Sequence, residues 1–230
     1  MISVNAIWLF SIIGIAGVAI VLLTFVLLNS SLRGKEFSLL RNFPYEFGQM
    51  NPDIYHVFRP MMFALTGLAF SPLFVIVPLS KDFGDLAFLT IFITCIFGLT
   101  AITNSLLFFF DARYTKTHMI LVTCSMCLTM LSNALATLLS ILVYKTYLDM
   151  SENHLSSLIF AIVSGLLTIA MLVLVINPKL SNWAKLEIQD NGNGEKTYSR
   201  GKVFILALSE WLTIALSLIG ELIFLFSIIK

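Results

Sequence analysis

The chain has 230 residues, of which 58% are hydrophobic and 12% charged, with a mean hydropathy of +0.94. A soluble domain carries about 25% charged residues, and the apolar excess here falls in runs long enough to cross a bilayer, which excludes a soluble fold. A net charge of +1 gives no field to gather nucleic acid, and the three cysteines, Cys95, Cys124 and Cys127, all lie inside apolar runs and make no disulfide framework.

Six stretches are predicted to span: 6–28, 57–79, 86–110, 118–143, 155–177 and 203–229. The expected fold is an all-α integral membrane protein. It is a single six-transmembrane-helix bundle over residues 1–230, with a short cytoplasmic interfacial helix and a small cytoplasmic β-hairpin. Of the 14 Lys and Arg residues, 11 fall in or beside the connections after spans one, three and five, and Lys81, Lys145 and Lys230 fall on the other side. The positive-inside rule then places the 11 in the cytoplasm and both termini outside, in a cell membrane.

Span one has no basic start and no small-residue cleavage site, so an uncleaved helix is expected. Its Ser11, Gly14 and Gly17 form a small side suited to close packing. In the elbow, 29–56, Phe37, Leu40 and Phe43 share one side while Lys35 and Arg41 lie elsewhere. That pattern predicts an interfacial helix over 35–43. Pro44, Pro52 and Pro60 then predict a non-helical approach to span two, flanked by an interfacial belt of Phe43, Tyr45, Phe47, Tyr55 and Phe58. This elbow is read as a membrane-surface segment or as a docking site for a partner.

Pro44-Tyr45-Glu46-Phe47-Gly48 resembles the Pro-Tyr-Glu-Cys-Gly loop found in a family of small membrane subunits of NADH–quinone oxidoreductase. The likeness covers five residues. Phe47 stands where that family has its cysteine, span two lacks that family's acid, and the chain has about three spans more, so no function is carried over.

In span two, Pro60 suits a first turn and Pro78 an exit. Pro72 is interior and predicts a kink, making it the hinge candidate. Spans three to five carry small and hydroxyl residues at three- and four-residue steps, among them Thr94, Gly98, Ser125, Thr129, Ala161 and Gly165. These are read as packing seams, or alternatively as a polar path with Asn104 and Asn133. Cys124-x-x-Cys127 lies mid-helix without a second pair, so no metal or redox site is expected. Within the cytoplasmic loop 178–202, residues 186–198 read as a hairpin around Asp190-Asn191-Gly192-Asn193-Gly194, resting on the membrane, the elbow or a partner.

Span six holds two carboxylates, Glu210 and Glu221. Eleven residues are about 1100° of rotation, so the two acids share a face, with Thr213, Ser217 and Gly220 on or beside it. The 17 Leu, Ile, Val and Phe residues of 203–229 favour insertion by roughly 5–10 kcal/mol, enough to carry both acids. The face is therefore an ion or proton stripe or a pair of neutral acids packed by hydrogen bonds. Asn104 matches Glu210 in depth, and Arg59–Glu210 is the expected buried ion pair. His118 is expected at the solvated interface. Glu221 has no cation in reach and is expected neutral, because desolvation disfavours its charge.

No nucleophile–base constellation, phosphate loop or metal motif is present in the sequence, so an enzyme is not expected, nor a cofactor. The leading expectation is a transporter-like or channel-like unit, or the membrane subunit of a complex, with Glu210 and Glu221 as working groups. The competing one is an accessory, immunity or scaffold protein whose elbow and hairpin bind a protein partner. An intramembrane enzyme comes third. The bilayer is a partner in every case.

Overall fold

A computed structural model describes residues 9–10, 12–21, 24, 38–43, 52–70, 86–107, 115–149, 155–177, 187–190, 196–199 and 203–228. Its helices are α1 (Ile12–Val21), α2 (Pro52–Phe70), α3 (Ala87–Leu107), α4 (Thr115–Asp149), α5 (Leu155–Ile176) and α6 (Ile205–Ile228). Four of them contain stretches long and apolar enough to cross a membrane: Ala87–Leu107, Lys116–Lys145, Leu155–Ile176 and Ile205–Phe224. The described part of α1 is shorter, and α2 opens on Asp53, His56 and Arg59. Pro72, the hinge candidate, lies outside the described residues.

The packing is inside out relative to a soluble bundle. On α5 the buried residues are Ser157, Ala161, Ser164 and Met171, while Ile159, Ile162, Leu166, Ile169, Val173 and Ile176 point outward. In water that arrangement would expose a continuous apolar face and bury hydroxyls. In lipid it costs nothing on the outside, and the small residues inside let backbones approach. The free cysteines Cys95, Cys124 and Cys127 share the exposed surface, and among the described residues no cluster of His, Cys, Asp and Glu could hold a metal.

The 35-residue α4 is the central element. It packs most extensively on α5 and α3 and also meets α6. Three apolar clusters surround its polar side. Ile93, Phe97, Ala136, Leu139 and Phe224 close one end, with the Phe97 and Phe224 rings stacked at 5.2 Å. Leu107, Val122, Met126, Met171, Phe204 and Ala207 close the other. Val18, Phe58, Met62 and Ile214 tie α1 and α2 to α6. Gly17 is part of this third contact: a Cβ there would lie 2.7 Å from Leu65 Cδ2.

Several local expectations are corrected. α2 begins at Pro52, not near 57, and Pro60 lies inside the helix. A proline in the first helical position loses nothing, because that N–H has no helical acceptor. Pro60 instead removes the donor to the His56 carbonyl, a cost the helix accepts in mid-course. α4 continues past the expected end at 143 to Asp149. Residues 38–43 form one tight turn, in which the Arg41 and Asn42 amides both donate to the Ser38 carbonyl at 2.9 and 2.8 Å. Phe43 is buried instead of joining an interfacial belt, because its ring meets Phe204 edge-on at 5.5 Å. Two short strands, β1 (Glu187–Asp190) and β2 (Lys196–Ser199), pair antiparallel with Glu187 opposite Ser199 and Asp190 opposite Lys196.

Candidate functional site

A polar seam runs through the bundle between α3, α4 and α6. On α6, Glu210, Thr213, Ser217 and Glu221 are all buried. Steps of three and four keep them on one side of the helix. α4 supplies the facing row at similar steps: His118, Ser125, Thr129, Ser132 and Asn133, each buried.

At the first level of the seam, His118 Nε2 lies 3.3 Å from Glu210 Oε1. This is a hydrogen bond when Nε2 carries a proton and an ion pair when both ring nitrogens do. His118 is 4% exposed, which corrects its expected place at the solvated interface. The sequence does carry a signal. His118 is seven residues before Ser125, so it continues the α4 polar row for two further turns. Glu210 therefore has His118 as a partner. Arg59, the expected one, lies on α2.

This level is roofed by the turn at 38–43. Phe43 meets the His118 ring edge-on at 6.3 Å. The Trp211 indole donates to the Asn42 carbonyl at 2.8 Å, and the Phe204 amide donates to the Leu40 carbonyl at 2.6 Å. The second bond satisfies an amide at the start of α6, where the first backbone amides lack helical acceptors, and the first satisfies the indole donor. Nothing in the sequence pairs residues some 170 positions apart, so this roof is not legible there.

At the second level, Asn104 joins three helices. Its Nδ2 donates to Ser217 Oγ at 2.8 Å, and its Oδ1 accepts from Ser125 Oγ. Asn104 thus meets Ser217, two turns of α6 beyond Glu210, and the depth match expected with Glu210 is corrected. Antiparallel α3 and α4 place residue 104 beside 125, which sets the level.

The third level holds Thr129, Asn133, Gly220 and Glu221. Asn133 Nδ2 donates to the Thr129 carbonyl at 2.9 Å, and Ser164 of α5 donates to the Asn133 carbonyl at 2.9 Å. The Asn133 amide lies against Gly220. A Cβ there would meet Asn133 Oδ1, with Cγ at 2.8 Å and Nδ2 at 3.0 Å. Glycine is required by that close approach. Four oxygens at this level have no hydrogen-bond partner among the described residues: Thr129 Oγ1, Asn133 Oδ1 and both carboxyl oxygens of Glu221. Thr213, on α6, donates back to the Ser209 carbonyl at 2.7 Å.

The structure thus brings Glu210, Asn104, Ser217, Asn133 and Glu221 into one seam. Arg59 lies on α2, and Pro72 lies outside the described residues. Sequence reasoning misses His118 as a member of a site, because it reads it as surface; Thr129 it reads as packing or as part of a polar path. Comparison with protein-family models, with curated proteins and with solved structures found no match to this chain.

Proposed function

We propose that this chain is a transporter-like or channel-like membrane unit, or the membrane subunit of a complex, that handles protons or small cations along the seam of α6. Glu210 and Glu221 are the exchanging groups, and Asn104, Asn133, Thr213 and Ser217 form the polar wall between them. One observation carries the reading: Glu221 is fully buried in a membrane-spanning helix, and neither of its carboxyl oxygens is hydrogen bonded among the described residues. An acid kept only for packing is expected to have a donor, because an unsatisfied polar group in this setting costs about 1–3 kcal/mol. The bundle crosses six times, with both termini outside and the paired strands in the cytoplasm, as the distribution of Lys and Arg supports.

Proteoliposomes containing the full chain test this. Wild-type protein is expected to pass protons or alkali cations in a pH-dependent way. Glu210→Gln and Glu221→Gln are each expected to reduce that flux to the level of empty vesicles while the protein still reconstitutes. Undiminished flux in both variants, or none in the wild type, would remove the transport reading and leave the accessory role, in which the cytoplasmic segments bind a partner.

A further inference from the structure

The third level of the seam has an unusual donor set. In helices within lipid, a hydroxyl normally returns its proton to a carbonyl one turn back. Thr90, Thr94, Thr100, Thr137, Thr168 and Thr213 all do so. Thr129 does not, although it is fully buried. Asparagine behaves in the same divided way. Asn104 uses both ends of its amide, whereas Asn133 uses its nitrogen and leaves Oδ1 open.

These open oxygens share one layer with Glu221. On α6, Glu221 lies between Ser217, which bonds Asn104 of α3, and Phe224, which stacks on Phe97 of α3. On α4, Thr129 and Asn133 follow Ser125, which also bonds Asn104. Asn133 reaches the backbone of α6 at Gly220, the residue before Glu221. The layer is therefore bounded by the Asn104 bonds on one side and the Phe97–Phe224 stack on the other. All its open groups are oxygens, and with Glu221 ionised all are acceptors apart from one rotatable hydroxyl.

We infer that Glu221, Asn133 and Thr129 form a binding site for a dehydrated alkali cation, for which sodium is the probe. The inference rests on the seam's being a cation path and names the class of ion. A carboxylate, an amide carbonyl and a hydroxyl are hard oxygen ligands, suited to a hard cation. One formal negative charge among them balances one positive charge. A divalent ion would need further carboxylates, and among the described residues no cluster of three His, Cys, Asp or Glu is present. Gly220 is part of the design, since any side chain there would push the Asn133 carbonyl out of the layer. In the absence of the cation a proton on Glu221 takes its place, so sodium and protons compete for one carboxylate.

The test uses the full chain in lipid nanodiscs. Sodium chloride is titrated against choline chloride at matched ionic strength, and the thermal midpoint is followed. Wild-type protein is expected to show a saturable rise with sodium, with an apparent affinity that weakens as pH falls. Glu221→Gln is expected to abolish the rise. Thr129→Val is expected to weaken the apparent affinity about tenfold by removing one ligand, and Thr129→Ser to keep it. Equilibrium dialysis of radiolabelled sodium on the wild type reads binding directly if a variant does not fold. Equal behaviour in sodium and choline, with no labelled sodium retained, overturns the site. So does a sodium response unchanged in Glu221→Gln. Proton flux persisting without sodium would then leave the broader transport reading in place, whereas sodium binding without any flux would overturn transport and leave the site.

Discussion

The two ends of the α6 polar face are built from the same residue types and finished differently. Toward the N-terminus of α6, Glu210 meets His118, and Asn104 engages a serine on each of two helices. A turn from a distant part of the chain roofs that end. Eleven residues on, Glu221 has no donor among the described residues, and the amide and hydroxyl beside it keep oxygens open. Burial is the same at both ends, at 1% exposure for Glu210 and 0% for Glu221. Burial of an acid therefore does not distinguish a paired carboxyl from one left open to a ligand; the partners do. The first end is expected to contribute to stability as well as to proton exchange, and the second to hold the ion.

That contrast can be broken most forcefully at His118. His118→Ala leaves Glu210 buried without the imidazole and is expected to lower unfolding stability by about 3 kcal/mol, read by denaturant titration in detergent. Adding Glu210→Gln should recover part of the loss, since the two residues are coupled. A null effect of His118→Ala would erase the difference between the two ends.

The next effect in size is at Gly220. Gly220→Ala is expected to cost about 2 kcal/mol by driving its methyl into the Asn133 amide. In a double-mutant cycle Asn133→Ala should relieve most of that cost, and additivity would mean the two residues are not in contact. A smaller loss is expected for Asn104→Ala, about 1 kcal/mol for two interhelical hydrogen bonds. Glu221→Gln sharpens the comparison from the other side. It breaks no hydrogen bond to a described residue, so stability in choline should change by less than about 1 kcal/mol while the sodium response disappears.

Much of the seam is legible in the sequence because helical periodicity alone sets it. The 11-residue step from Glu210 to Glu221 fixes their common face, and the Thr94 and Ser125 rows are buried where hydroxyls at three- and four-residue steps suggest close packing. Partner identity is not legible. Depth along the membrane suggests Arg59 for Glu210 but does not reveal His118, because depth cannot say which neighbouring helix presents a side chain to α6. The start of α2 escapes the sequence because Pro60 reads as a first-turn residue, a role that Pro52 fills. Phe43 reads as an interfacial aromatic because local patterning cannot see Phe204 across the chain. Four of the described helices are long and apolar enough to cross a membrane.

The most direct test of the central claim, that Glu221 is an addressable carboxyl inside the bundle, is its modification by a membrane-permeant carbodiimide, located by peptide mass spectrometry. The account predicts labelling at Glu221 that sodium slows and choline does not. Absence of labelling at Glu221 at any pH in folded protein, or labelling indifferent to sodium, would contradict it.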